Sequence, residues 1–167
     1  MNKIEQIITL SKDLGSKPII ACIGSTKDIK DSLGPITGQL LVEKYKVDAI
    51  VIGTLLSPLH ALNITQRMAR VCDIYPQSKT LAIDACRFPD GKHRIRLIKG
   101  GIKPGLASGK NLPRVGNYSI VASTEELHSN ALCLGSVYSL ADKIAKLVVY
   151  TLSLRQHRIE STHNLPS

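Results

Sequence analysis

Apolar residues in this chain fall into two kinds of pattern, short unbroken runs and longer stripes of helical period. Ile4, Ile7, Ile8 and Leu14 follow the second, so residues 2–14 read as a helix stopped by Gly15. Pro18-Ile19-Ile20-Ala21-Cys22-Ile23 is unbroken and predicts a strand over 18–23. Gly34-Pro35 marks a second helix with Pro35 at its first position, and Ile36, Leu40, Leu41 and Tyr45 share one face of it. Ala49-Ile50-Val51-Ile52, ended by Gly53, is a second strand covered on both faces. Ser57-Pro58 repeats the cap-and-proline signal and opens a third helix to about Cys72.

A third strand is expected over 79–84. His93 to Ile98 alternates, as in a strand with one wetter face. The glycine-rich stretch 100–116 has no period, and Tyr118–Ala122 forms the fifth strand. Leu134, Val137, Ala141, Ile144, Val148 and Thr151 keep a helical stripe through a long last helix. From Ile159 onward the chain reads as frayed, giving one domain over 1–158 and a tail over 159–167. Strands alternating with helices predict an α/β sheet flanked by helices on both sides.

Composition narrows this picture only slightly. A length of 167 residues suits one domain with a full core. Trp is absent and Phe88 is the sole Phe, so that core must be aliphatic. Twenty-two basic against thirteen acidic side chains leave a net charge of +9. That excess fits nucleic acid, an acidic protein partner or merely a solvated surface, but base-stacking aromatics are scarce. Four widely spaced cysteines (Cys22, Cys72, Cys86, Cys133) make no metal or redox pair; Cys22 and Cys72 read as small buried hydrophobes in a reducing compartment. No apolar run approaches a membrane span and no signal peptide is evident, so a cytoplasmic protein is expected.

The candidate chemistry lies just beyond the strands. Asp31 follows the first strand and Asp84 ends the third, and in open parallel sheets ligands gather beyond the carboxyl ends of strands. Asp31 also suits a helix cap and Asp84 an Asx-turn. Brought together, two carboxyl groups can share a proton and act as acid and base at once, or begin a divalent metal site. His60, after the second strand, is a third ligand, a proton shuttle or a satisfied helix-end histidine. His93 is set aside as opening its strand at the opposite edge, and His128 is a weaker candidate. The 100–116 loop fails the P-loop pattern, with Pro104 where glycine is needed and Asn111 in place of Ser or Thr. Its amides, with Lys103 and Lys110, can still hold an anion or an oxyanion.

Three motifs in register resemble a known family. Asp31-Ser32-Leu33-Gly34-Pro35, Ala82-Ile83-Asp84-Ala85 and Gly101-Ile102-Lys103-Pro104-Gly105 succeed one another as in the bacterial spore germination protease. The smaller sporulation proteins of the YyaC family resemble the chain further in length and in Gly53-Thr54 followed by Pro58 and His60. The resemblance spans about residues 18–150. It implies a three-layer α/β/α sandwich around a mostly parallel sheet, as in that protease and in the hydrogenase-maturation peptidases. It also implies catalytic roles for Asp31 and Asp84.

The resulting expectation is a sporulation-linked, metal-independent peptidase. Asp31 and Asp84 activate water, while His60, Gly101, Lys103, Gly105, Gly109 and Lys110 support the site or bind substrate. Small acid-soluble spore proteins are the implied substrates. A non-catalytic binding protein of the same fold is the first alternative. A metal-dependent maturation peptidase, with metal at Asp31, Asp84 and His60, is the second. The resembling peptidases take nickel on two carboxylates and a late histidine, which the loop here does not supply.

Overall fold

The computed structural model describes residues 3–88, 95–105, 111–124 and 134–163, with side chains placed from 4 to 156 within those spans. The elements are α1 (Lys3–Asp13), β1 (Ile19–Cys22), α2 (Leu33–Gln39), β2 (Ile50–Ile52), α3 (Ile64–Ile74), β3 (Thr80–Ala85), β4 (Ile95–Lys99), β5 (Tyr118–Ala122) and α4 (Leu134–His163). They build one sheet in the order β2-β1-β3-β5-β4. β2, β1, β3 and β5 run parallel, and β4 closes the edge antiparallel to β5. The expected mostly parallel α/β architecture is therefore present.

The unbroken apolar strands are explained by burial on both faces. Ile20 and Cys22 of β1, Leu81 and Ile83 of β3, and Ile120 and Ala122 of β5 point to one face. There they meet Leu10 and Leu14 of α1, Leu33 and Ile36 of α2, and Val137, Ala141, Ile144 and Val148 of α4. The alternate residues Ile19, Ala21 and Ala82 face the other way, toward Ile64 and Met68 of α3 and Val115. This second layer is one helix plus residues 100–105 and 111–116, held to each other by paired backbone bonds between Ile102 and Val115 (3.0 and 2.8 Å).

Several boundaries differ from expectation for local reasons. α3 starts at Ile64, not at Ser57-Pro58. The intervening stretch is used instead by a bridge from Leu59 to Ile23 and by a turn tied through Asn63. Pro35 is the third residue of α2, still within the turn whose amides have no helical partner. α2 continues as one wider turn over Leu40–Lys44, so Leu41 is buried and Tyr45 reaches Asp142 of α4 (2.7 Å). α4 remains helical to His163, past the frayed end expected from residue 159. Cys22 is buried as expected, but Cys72 is exposed on α3; Cys133 lies outside the described residues. Among the described residues no helix is long and apolar enough to cross a membrane.

Candidate active site

β1 connects through α2 to β2 on one side of the sheet, and the chain then returns through α3 to β3 on the other. The carboxyl ends of β1 and β3 thus flank the point where the connections change direction, the preferred crevice of open α/β sheets. Asp31 lies in the segment leaving β1, and Asp84 is the fifth residue of β3.

Asp84 is aimed by strand alternation. Leu81 and Ile83 enter the α1/α2/α4 core, so Ala82 and Asp84 turn to the α3 side. Asp31 is aimed by a tightly folded loop. Asp28 caps a short turn over Ile29–Asp31 by accepting from the Lys30 amide (2.9 Å), and the Ser25 amide donates to the Asp31 carbonyl (3.0 Å). Ser32, not Asp31, occupies the cap position of α2, so the Asp31 carboxyl is not spent on capping the helix. The loop comes this close to β1 because residue 34 is glycine. A Cβ there would stand 2.0 Å from the Ile23 carbonyl oxygen.

Both aspartates line one cleft of about 830 Å³. Its walls also carry Asp28, His60, Cys86, Gly101, Lys103 and Gly105. Six of the residues singled out from sequence therefore share this cleft, whereas Gly109 and Lys110 lie outside the described residues. His93 and His128 also lie outside them. β4 nevertheless begins at the carboxyl rim, with Ile95 opposite Ala122, and not at the opposite edge expected from the sequence.

The electrostatics of the pair are unusual for carboxylates. Burial first, then the charge of Asp31, pushes Asp84 up to about 8, against a smaller opposing effect of the Ala85 amide. Burial and the neighbouring Asp28 push Asp31 up to about 6, opposed by the Ser25 amide. Near neutral pH the pair thus carries about one proton between two carboxyl groups, a state that offers both a base and an acid. Burial and the charge of Asp84 push the Cys86 thiol up to about 11, against the pull of Arg96. Cys86 is consequently a thiol and not a nucleophilic thiolate at neutral pH.

His60 has a different place from the one its spacing suggests. It sits in the turn before α3, where Nδ1 accepts from the Leu62 amide (3.3 Å) and Nε2 lies 3.3 Å from the side-chain nitrogen of Asn63. A metal-bound histidine instead donates its second ring nitrogen to an acceptor. Among the described residues no group of three or more His, Cys, Asp or Glu is gathered to hold a metal ion. Among the described residues the two carboxylates and one histidine that would take nickel are therefore not gathered.

The glycine-rich segment contributes a basic rim more than a ready-made anion cradle. The Ile102 amide is committed to Val115, and the Gly101 carbonyl accepts from Arg114 (2.6 Å). Lys103 is exposed, and among the described residues Arg87 and Arg114 also line the cleft. Asp28, Arg87 and Arg114 are not singled out by the sequence. Asp28 was visible as a second aspartate one short turn before Asp31. Arg114 carried no signal, because only the Ile102–Val115 pairing folds it back to the cleft.

With this geometry in view, comparison with known proteins places the chain. A model described as "Protein of unknown function (DUF1256)" matches residues 1–147. The chain belongs to the DUF1256 family. A curated relative, the uncharacterized protein YyaC of Bacillus subtilis (strain 168), is 31% identical over 116 residues, covering 67% of this chain. The match spans only 55% of that relative's own length. Among solved structures, the [NiFe] hydrogenase maturation protease HycI from Thermococcus kodakarensis KOD1 shares the fold, with a TM-score of 0.54. It is 12% identical, over 87% of this chain and 99% of that one, so the likeness is one of architecture: a maturation-protease fold.

Proposed function

We propose that the chain is a peptidase that hydrolyses peptide bonds with Asp31 and Asp84 acting as a pair. The observation that carries this reading is that both carboxyl groups, each raised well above the usual carboxylate range, face one cleft at the sheet's switch point. At neutral pH the Asp31 carboxylate takes a proton from a water molecule as its oxygen attacks the scissile carbonyl carbon. Asp84, holding its proton, hydrogen-bonds the carbonyl oxygen and then protonates the leaving amine. The proton gained by Asp31 passes back across the pair, restoring the starting state. No metal enters any step. The Lys103 ammonium, on the rim of the cleft, supports the developing oxyanion. His60, held in its own turn, forms wall and not catalyst.

The motif resemblance and the YyaC relative support a role in sporulation, with small acid-soluble spore proteins as the substrates to try first, in the cytoplasm of the mother cell or developing spore. The test is incubation of purified protein with those substrates, reading new termini by mass spectrometry. New termini are expected with the wild type, and a loss of about 10³-fold or more with Asp31→Asn or Asp84→Asn, each still folded by circular dichroism. Wild-type rates in either variant would overturn the mechanism.

A further inference from the structure

The turn between β2 and α3 has a second aspect. Through His60 and Ala61 it forms one wall of the cleft. It also holds Leu55, Leu56 and Leu62 to solvent, 41%, 88% and 79% exposed. Single exposed leucines are ordinary on a protein surface. Three within eight residues, on a turn that is firmly built, are not. The Thr54 amide donates to the Ser57 carbonyl and the Ser57 amide to the Thr54 hydroxyl (both 3.2 Å). Gln39 of α2 accepts from the Leu55 amide (3.2 Å), and Asn63 ties His60 to Pro58. Arg67 of α3 donates to the carbonyls of Ser57 and Pro58 (3.1 and 2.8 Å). Every tie is polar or backbone. Leu59 alone of the turn's leucines is buried in the core.

We infer that this leucine turn is a docking shelf for the polypeptide on which the cleft acts, gripping apolar side chains several residues away from the reacting bond. The inference rests on the peptidase reading for the nature of the occupant. Continuity argues for it: a chain leaving the cleft past His60 and Ala61 meets the turn that carries the leucines. The cleft lining also includes the apolar Ile23, Ile102 and Pro104, so shelf and cleft suit one extended apolar-bearing segment. A second copy of this chain is a poorer occupant. Three leucines fall far short of the roughly 800 Å² per partner of a stable dimer. Along α3 the next exposed large apolar residues, Ile74 and Tyr75, lie at its far end, about 16 Å on, beyond exposed Gln66 and Arg70.

The test compares wild type with the double variant Leu56→Ser, Leu62→Ser. The probes are a library of synthetic peptides of roughly fourteen residues, about 45 Å extended, and one of about four residues. Cleavage is read by mass spectrometry, and amide hydrogen exchange of residues 54–63 is read with and without peptide. We expect long peptides to protect 54–63, and the double variant to raise KM for them about tenfold with kcat unchanged, the loss expected for two partly buried leucines. Short peptides should be cut equally by both proteins. Equal KM for long peptides, or no protection of 54–63, would overturn the shelf while leaving the peptidase reading intact. Protection without cleavage would overturn the peptidase reading and keep the shelf. Self-association of wild type that the double variant loses would give the surface to a second copy and overturn the inference.

Discussion

The two faces of the sheet are built from the same strands by different means. On the α1/α2/α4 side, aliphatic residues from three helices pack against Ile20, Ile83 and Ile120. On the α3 side one helix covers part of the sheet, and a segment with little regular structure, anchored by Ile102 and Val115, covers another part. The strands supply alternate residues to both, so one strand serves stability and chemistry at once. Ile83 and Asp84 are neighbours in β3, yet the first is fully buried core and the second faces the cleft. The fold concentrates its packing on one side, and the other side can hold polar groups that are costly to bury.

The largest expected effect breaks this contrast by steric means. Gly34→Ala on the packed side should cost about 4 kcal/mol or more, because its Cβ meets the Ile23 carbonyl, and β1 and α2 cannot separate without opening the core. Gly101→Ala on the other side also meets backbone, the Gly116 carbonyl oxygen at 2.6 Å. Its segment can shift at the expense of a few hydrogen bonds, so a loss of about 1–2 kcal/mol is expected. Chemical denaturation of both variants decides it. Equal losses would mean that the two layers are equally rigid.

That asymmetry also governs what the sequence made legible. Unbroken runs such as Ile19–Cys22 and Tyr118–Ala122 announce strands because both faces of the sheet are covered, and the packed helices follow from their stripes. The positions of Asp31 and Asp84 follow from strand ends alone. The α3 side was read less well, since its structure depends on contacts distant in sequence. Ser57-Pro58 carries a valid helix-start signal, but the Leu59–Ile23 bridge and the Asn63 and Arg67 ties displace the helix to Ile64. The antiparallel direction of β4 and the return of Arg114 to the cleft likewise leave no local trace.

A second prediction concerns the stability cost of the pair. Asp84 has a folded pKa raised above its unfolded value, so the stability it contributes is complete below about 4 and is lost as pH rises through about 8. Asp84→Asn removes the charge that must be buried. The variant should match wild type in acid and exceed it above pH 8, by on the order of 5 °C in Tm, while losing activity. Ile83→Ala, one residue away on the packed face, should lower stability by about 2–5 kcal/mol at every pH. A wild type as stable as Asp84→Asn at high pH would mean that the cleft face is as well solvated as open surface.

The smallest expected effect is the most specific. The cleft that Asp31 lines also carries Asp28 from its own turn, Asp84 and Cys86 from β3 and its exit, Arg87 just beyond, His60 from the leucine turn, and Lys103 and Arg114. Of the carboxylates, Asp28 is exposed and outside the proposed chemistry. Asp28→Asn keeps the cap on the Lys30 amide, because Asn caps as well as Asp, and removes only the charge. Asp31 should then ionise at lower pH, and the acid limb of the activity profile should move down by about 0.5 pH unit. Because Asp28 reaches Asp31 partly through solvent, about 1 M salt should reproduce most of that shift in the wild type. The rise of Asp84, set chiefly by burial, should persist in salt. A profile in which both limbs collapse with salt would make the pair a surface ion cluster and dissolve the distinction between the two faces.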